Sequence, residues 1–508
     1  MRGKGTGDRG TGTARPTTAA VLALALVAFI VAGGAEASEP VLLDGFDDVT
    51  RWEAAPADGI ALTLQEDSGR TGTALRLDLD FQGRGGYAAV RRQLPLALPA
   101  NYEFTFWVRG DVPPNNLEFK LIDATGENVW WVNRRDFAFR PEWQQVTIKK
   151  RHVSFAWGPA KGGELAALAT LEIVVTAGQG GKGAVWLDDL AFRELPPAGP
   201  YAGTPQAAAS SSASRRPAAA AIDGDPATAW QPSAPGPAWL AVDFGVERPL
   251  GGLAVDWEEG LPPRYEVQLS PDGAAWTTFR RVEESNGGRD WILLGDADAR
   301  FVRLALDGGP AGLAPGVREI AVQPLEFGAS RNAFFAALAD AAPRGAFPRY
   351  LKGEQSYWTV VGLDRDEEEG LVGEDGAVEA GSAGFSLEPL VRFDGALVSW
   401  ADVKTEHTLI DGDLPIPTVR WLHPRFTLEV TTVATGAPGR TALLIRYRFK
   451  PVGTPSRATR LWLAIRPFQV NPPWQFLGRP GGTVPVRRIA WDGLQATVGA
   501  RRVVPARR

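Results

Sequence analysis

Along most of this chain, apolar and polar residues alternate with a period of two. In YEFTFWVRG (102–110), Tyr102, Phe104, Phe106 and Val108 alternate with Glu103, Thr105, Trp107 and Arg109. In NNLEFKLID (115–123), Leu117, Phe119 and Leu121 alternate with Glu118, Lys120 and Ile122. Successive side chains of a strand point to opposite faces, so the pattern predicts half-buried antiparallel strands. Turn residues break these runs at the roughly 10-residue spacing of a β-sandwich. The same texture returns in GFSLEPLVRFDGALVSWADV (384–403), PTVRWLHPRFTLEVTTVAT (417–435), TALLIRYRFK (441–450) and TRLWLAIRPF (459–468). One segment breaks it: SRNAFFAALADAAP (330–343) predicts a helix capped by Ser330, with Phe334, Phe335, Leu338 and Ala341 on one face and Pro343 as its stop. The fold class expected is all-β.

Punctuation divides the chain. Arg2, Lys4, Arg9 and Arg15 precede an apolar run from Ala19 to Ala32, and Ala35-Glu36-Ala37 supplies a small-x-small site. That order predicts a signal peptide over 1–37, cleaved before Ser38, and an exported product. The alternative is an uncleaved anchor, but the run is shorter than the about 20 residues a span requires. A Pro/Ala/Ser-rich stretch around 196–204 reads as a linker between a β-sandwich over 38–195 and a second over 205–327. The helix joins the second to a β-rich region over 346–508.

Composition narrows the function classes. With a net charge of -5 and no Lys/Arg run outside the termini, nucleic acid is excluded as an expected partner. There are no cysteines, which excludes thiolate metal sites, cysteine nucleophiles and a disulfide scaffold. The 18 Trp exceed what packing usually requires. Flat indoles lie well against the apolar faces of sugar rings, so the excess leans toward a polysaccharide or surface glycan as partner.

AIDGDPATAW (221–230) crowds Asp, Gly and Thr into a loop ahead of Trp230. Hard oxygen donors in a short loop suit a cation site. Together with WLAVDFG (239–245), YEVQLSPDGAAW (265–276), ARFVRLAL (299–306) and GVREIAV (316–322), this order of motifs resembles the discoidin, or coagulation factor 5/8 type C, family. The resemblance implies a galactose-binding-like jelly-roll sandwich and a structural Ca²⁺ held by Asp223, Asp225, Thr228 and Glu319, against the plainer reading of an Asx-turn. It also implies core positions for Trp230, Trp239 and Trp276. Trp257, Glu258, Arg264 and Trp291 are candidates for its ligand loops.

Over 38–195, LLDGFDD (42–48), ALRLDLDF (74–81), NNLEFKLID, NVWWVN (128–133), KKRHVSFAWGP (149–159) and VWLDDLAF (185–192) resemble a galactose-binding-like carbohydrate-binding module. That resemblance implies a second Ca²⁺ at Asp44, Asp47 and Asp189, or Asp188, where the alternative is turn residues facing water. Trp107, Arg109, Glu118, Lys120 and one of Trp130 or Trp131 are expected to share the mixed face of one sheet. They would serve either as a sugar platform or as a packing face. His152, Phe155 and Trp157 form a second candidate cluster.

The last region resembles the N-terminal β-sandwich of six-hairpin glycosidases, whose catalytic acids lie in a helical barrel further along. It is expected to be a truncated front half lacking that barrel. Its own acids, Glu406, Asp411 and Asp413, and its histidines, His407 and His423, sit in a strand-turn-strand setting that favours a solvated turn over catalysis or metal binding. The expected function is therefore exported, multimodular carbohydrate binding, as the non-catalytic front half of a glycoside hydrolase or phosphorylase, with two rivals: a glycoside-active enzyme using acids in 346–508, and a discoidin-type surface adhesion protein.

Overall fold

The computed structural model describes residues 38–196, 204–258, 264–285, 287–308, 314–366, 368–381, 383–453, 459–475 and 481–506. The signal segment and most of the 196–204 linker lie outside them. Strands take 54% of the residues and helix 7%, so the all-β expectation holds.

The first β region is a two-sheet sandwich. One sheet runs in the order Ala61–Ser68, Thr73–Asp80, Lys182–Glu194, Tyr102–Gly110 and Gln144–Lys149, with Val41–Asp44 also paired to Lys182–Glu194. We call it the terminal-strand sheet. The other, the inner-strand sheet, runs Ser154–Trp157, Val129–Phe137, Asn115–Ile122, Ala167–Thr176, Tyr87–Ala97 and Glu53–Ala54. The alternating residues do what their parity demands: Phe104, Phe106 and Val108 from one sheet meet Leu117, Phe119 and Leu121 from the other in a single core. The Phe106 and Phe119 rings stack at 5.7 Å across it. Burying a side chain of this size contributes roughly 1.5–3 kcal/mol.

This arrangement corrects one expectation. Trp107 and Arg109 belong to the terminal-strand sheet, whereas Glu118, Lys120, Trp130 and Trp131 belong to the inner-strand sheet. They do not share a face. Consecutive strands 102–110 and 115–122 cross from one layer to the other, so each turns its polar parity outward on a different side.

The second β region is built on two long strands, Ala238–Trp257 and Arg289–Leu306, paired along most of their length, with Gln206–Ala209, Tyr265–Ser270, Thr277–Val282 and Val317–Gln323 beside them. Register shifts between Asp243 and Arg248 bend the first strand. At that bend Arg300 donates two hydrogen bonds to Asp243, at 2.8 and 2.9 Å, and Gly245 (φ 79°) supplies the left-handed turn. Trp230 is wholly buried. Trp239 and Trp276, expected in the core, are only half-buried. Arg303 lies over the Trp276 ring at 4.0 Å.

The predicted helix forms at Arg331–Ala341, and the Ser330 hydroxyl accepts from Ala333 N at 3.0 Å. Beyond it, a sheet of Trp358–Val361, Gly370–Gly373, Val378–Glu379, Ser386–Phe393, Ala396–Val398 and Arg460–Arg466 shares a core with the four-stranded sheet Lys404–Ile410, Leu414–His423, Phe426–Ala437 and Arg440–Pro451. No helix of the described residues is long and apolar enough to cross a membrane.

Candidate functional site

On the outer face of the inner-strand sheet, register sets a row across four strands: Trp131 opposite Lys120, Lys120 opposite Glu172, and Glu172 opposite Arg91. Lys120 forms an ion pair with Glu118 at 3.0 Å, and Arg91 with Glu172 at 3.1 Å. Asn133 donates to Glu118 at 3.3 Å. The Trp131 and Trp157 rings meet edge to face, their centroids 5.7 Å apart. The Lys120 ammonium lies 5.4 Å from both the Trp157 and Tyr87 rings. Trp157 is 48% exposed and Tyr87 42%. Chemically this is an aromatic platform beside a fixed donor, Lys120, and a fixed acceptor, Glu118. Its neighbour Trp130 points the other way, into the core, its indole donating to Gly163 O at 2.8 Å. His152 holds the adjoining turn by accepting from Lys149 N at 3.1 Å, and Phe155 packs edge to face on Trp130.

The outer face of the terminal-strand sheet carries a different assembly. Arg76, Trp186 and Arg109 stand opposite one another on three neighbouring strands. The Arg109 guanidinium lies 4.5 Å from the Trp186 ring and 5.1 Å from Trp143, and Arg70 lies 4.2 Å from Trp107. Trp143, Trp186 and Arg76 were not singled out from sequence. For Trp186 a signal was present: it takes the polar parity of Lys182–Glu194, where an indole has no packing reason to be.

The carboxylates expected at the first cation site are separately engaged. Asp44 is buried, accepts from Phe46 N at 2.7 Å and from the Trp52 indole at 3.0 Å, and pairs with Arg92. Asp47 accepts from Thr73 N and Oγ1, both at 2.9 Å, and these hydrogen bonds hold its carboxyl below the usual range. Asp189 pairs with Arg70 at 2.9 Å and accepts from Thr71 Oγ1 at 2.7 Å. Asp188 is fully buried and accepts the Arg70 and Thr71 amides, and burial pushes its carboxyl up. Asp44, already neutralised by Arg92, does not join Asp47 and Asp189 in a ligand set.

The second cation site is different. Thr228 Oγ1 lies 2.9 Å from Asp223 Oδ2, 3.1 Å from Asp225 O and 3.3 Å from Ala220 O, and Glu319 accepts from Gly224 N at 3.1 Å. All four expected residues therefore meet at one loop. Burial pushes the Glu319 carboxyl up, with the negative charges of Asp223 and Asp256 adding to it. Among the described residues, Asp223, Asp225 and Glu319 form no ion pair. Uncompensated acid oxygens with carbonyls beside them suit Ca²⁺ in donor type and charge. Among the described residues no three His, Asp or Glu side chains come together as a ligand group, and loop amides bond Asp223 and Asp225.

Trp257 is 2% exposed and packs on Tyr265 with tilted rings 4.9 Å apart, both donating to Asp290 at 2.8 Å. It is a core residue, which removes it as a sugar plate. Glu258 is paired with Arg216, and Trp291 packs on Phe327 at 5.8 Å.

In the third region, Glu406 pairs with Arg420 at 3.5 Å, His407 bonds Glu374 O at 2.9 Å, Asp411 forms a hairpin turn at φ 56°, and His423 stacks on Phe426 at 4.5 Å. Glu406, Asp411 and Asp413 do not line a common cleft among the described residues. An open cleft nearby is lined by Arg349, Tyr357, Glu374, Asp375, Glu388 and Trp400. Its charges are satisfied internally: Arg349 pairs with Asp375, and Glu388 with Arg466 at 2.9 Å. The Trp400 ring is covered by the guanidinium groups of Arg344 and Arg349 at 4.5 and 4.7 Å.

A stretch of 86 residues is 31% identical to the polysaccharide lyase 8 family protein HylA of Enterococcus faecalis, covering 16% of this chain and 6% of that protein's length. Among solved structures, the family 11 carbohydrate-binding module of a Clostridium thermocellum cellulosomal cellulase is 15% identical, covers 32% of this chain and 97% of its own, and has a TM-score of 0.27. Chitosan-binding module 1 of a Paenibacillus sp. IK-5 chitosanase/glucanase is 28% identical over 24% of this chain and 98% of its own, with a TM-score of 0.23. The family 32 module of C. perfringens NanJ, in complex with galactose, is 23% identical over 23% and 92%, with a TM-score of 0.22. Residues 206–315, the segment that holds Trp230 and the Asp223 loop, match the family model of the F5/8 type C domain.

Proposed function

We propose that this chain is an exported, multimodular carbohydrate-binding protein, and that its first module grips a neutral glycan on the outer face of the inner-strand sheet. The observation that carries this reading is the pairing of exposed Trp157 and half-buried Trp131 with Lys120 and Glu118. Sugar C–H groups stack on indole while hydroxyls need both donors and acceptors, and Lys120 and Glu118 offer one of each. The F5/8 type C segment and the partial likeness to a polysaccharide lyase family protein agree with a glycan partner. In this reading Asp223, Asp225, Thr228 and Glu319 hold a Ca²⁺ that stiffens the second module and takes no part in chemistry. Two weak modules on one chain gain avidity by raising local concentration.

The test is affinity electrophoresis of the full chain in gels holding neutral polysaccharides such as β-glucan and galactan. Retardation that is lost in Trp157→Ala and Trp131→Ala, with thermal melts unchanged, supports the reading. Absence of retardation on every glycan, with binding to deglycosylated cells, favours the adhesion alternative.

A further inference from the structure

The Arg109 guanidinium is clasped between two indoles, Trp143 and Trp186, yet has no hydrogen bond or ion pair among the described residues. Its Nε is shut off from solvent without an acceptor. Asp67, Asp78, Asp188 and Asp189 are engaged elsewhere. Asp67 and Asp78 both bond Arg76, and Asp67 also accepts the Trp186 indole at 3.0 Å. That indole, first among its partners, draws the Asp67 carboxyl down to about 2. Asp188 is taken by the Arg70 and Thr71 amides, and Asp189 by the Arg70 side chain.

With Nε shut off, the two terminal nitrogens of the guanidinium form the edge left for a bidentate acceptor, and a carboxylate matches that edge in shape and charge. Asp67 and Asp78 are each paired with Arg76, so they leave Arg109 to receive an incoming uronate carboxylate. We infer that the outer face of the terminal-strand sheet is a second glycan site, specific for uronate-containing polysaccharide, with Arg109 as its carboxylate receptor. The inference rests on the glycan-binding reading of the chain but uses the opposite face of the module. Trp143 and Trp186 act here as rails that fix the guanidinium.

The experiment measures the full chain against polygalacturonate and against the best neutral glycan by titration calorimetry, comparing Arg109→Gln and Trp131→Ala. The expected result is that R109Q weakens polygalacturonate binding at least tenfold and leaves the neutral glycan within twofold, while W131A does the reverse. Arg109→Lys keeps the charge but not the fork, and is expected to restore only part of the loss. Equal thermal melts exclude unfolding as the cause. Polygalacturonate binding unchanged by R109Q, or tighter binding of a sulfated glycan through Arg109, overturns the inference and leaves the neutral-glycan reading standing. Binding of neither polymer by the unaltered chain overturns both.

Discussion

Glu118 and Lys120 lie two residues apart on one strand and form an ion pair at 3.0 Å, their side chains only 6% and 9% exposed. Both project outward from the sandwich, and the Lys120 ammonium lies 5.4 Å from the Trp157 and Tyr87 rings. A charge removed from a screened pair leaves its partner uncompensated. Glu118→Gln is therefore expected to cost about 2 kcal/mol in urea denaturation, and Glu118→Gln with Lys120→Met to recover most of it. A double variant no more stable than the single one would show that the pair is not coupled.

Trp130 and Trp131 offer a direct comparison of neighbouring positions. Trp130→Ala opens the core and is expected to destabilise by about 3–5 kcal/mol. Trp131→Ala, from the outward face, is expected to change stability by less than about 1 kcal/mol. It should nevertheless abolish glycan retardation. Chemical denaturation and affinity electrophoresis on the same two proteins separate the effects.

Much of this was legible in the chain. Parity along 102–110 placed Phe104, Phe106 and Val108 inward and Trp107 and Arg109 outward, and the structure agrees. Parity cannot say which layer a strand joins, which is why Trp107 was grouped with Glu118 although the crossover at 111–114 separates them. Trp257 was misread for a related reason: its indole is satisfied by Asp290, 33 residues away, a pairing that no local pattern reveals. Asp44 carries the same lesson, since Arg92 reaches it from a strand 48 residues on. Loops read better, because the Asp223 to Thr228 contacts are local and close within five residues.

Glu379 gives a pH dependence. It is 1% exposed, and burial pushes its carboxyl up to about 7 against the opposing amides of Val470, Asn471 and Gly384. The native state thus binds this proton more tightly than the unfolded chain does. Its contribution is fully present below pH 4.5 and is lost as pH rises through about 7. The loss expected over that window is on the order of 3 kcal/mol, and Glu379→Gln should flatten it. Denaturation curves of both proteins at several pH values check this. Parallel pH profiles would contradict it.

Calcium should act on the second module. If Asp223 and Glu319 hold the ion, saturating CaCl₂ at a hundred times Kd is expected to stabilise by about 2.7 kcal/mol. Asp223→Asn and Glu319→Gln are expected to remove the response, and Asp47→Asn to leave it intact. Calorimetry with and without chelator measures this, and a response that survives Asp223→Asn would place the ion elsewhere.

The two sheets of the first module turn their indole-bearing faces in opposite directions. A protein that gripped one polymer on the Trp131 side and another on the Arg109 side would not simply anchor to a surface. It would staple neighbouring strands of a mixed neutral and acidic matrix, and its mechanical signature would be a stiffer gel at sub-stoichiometric dose.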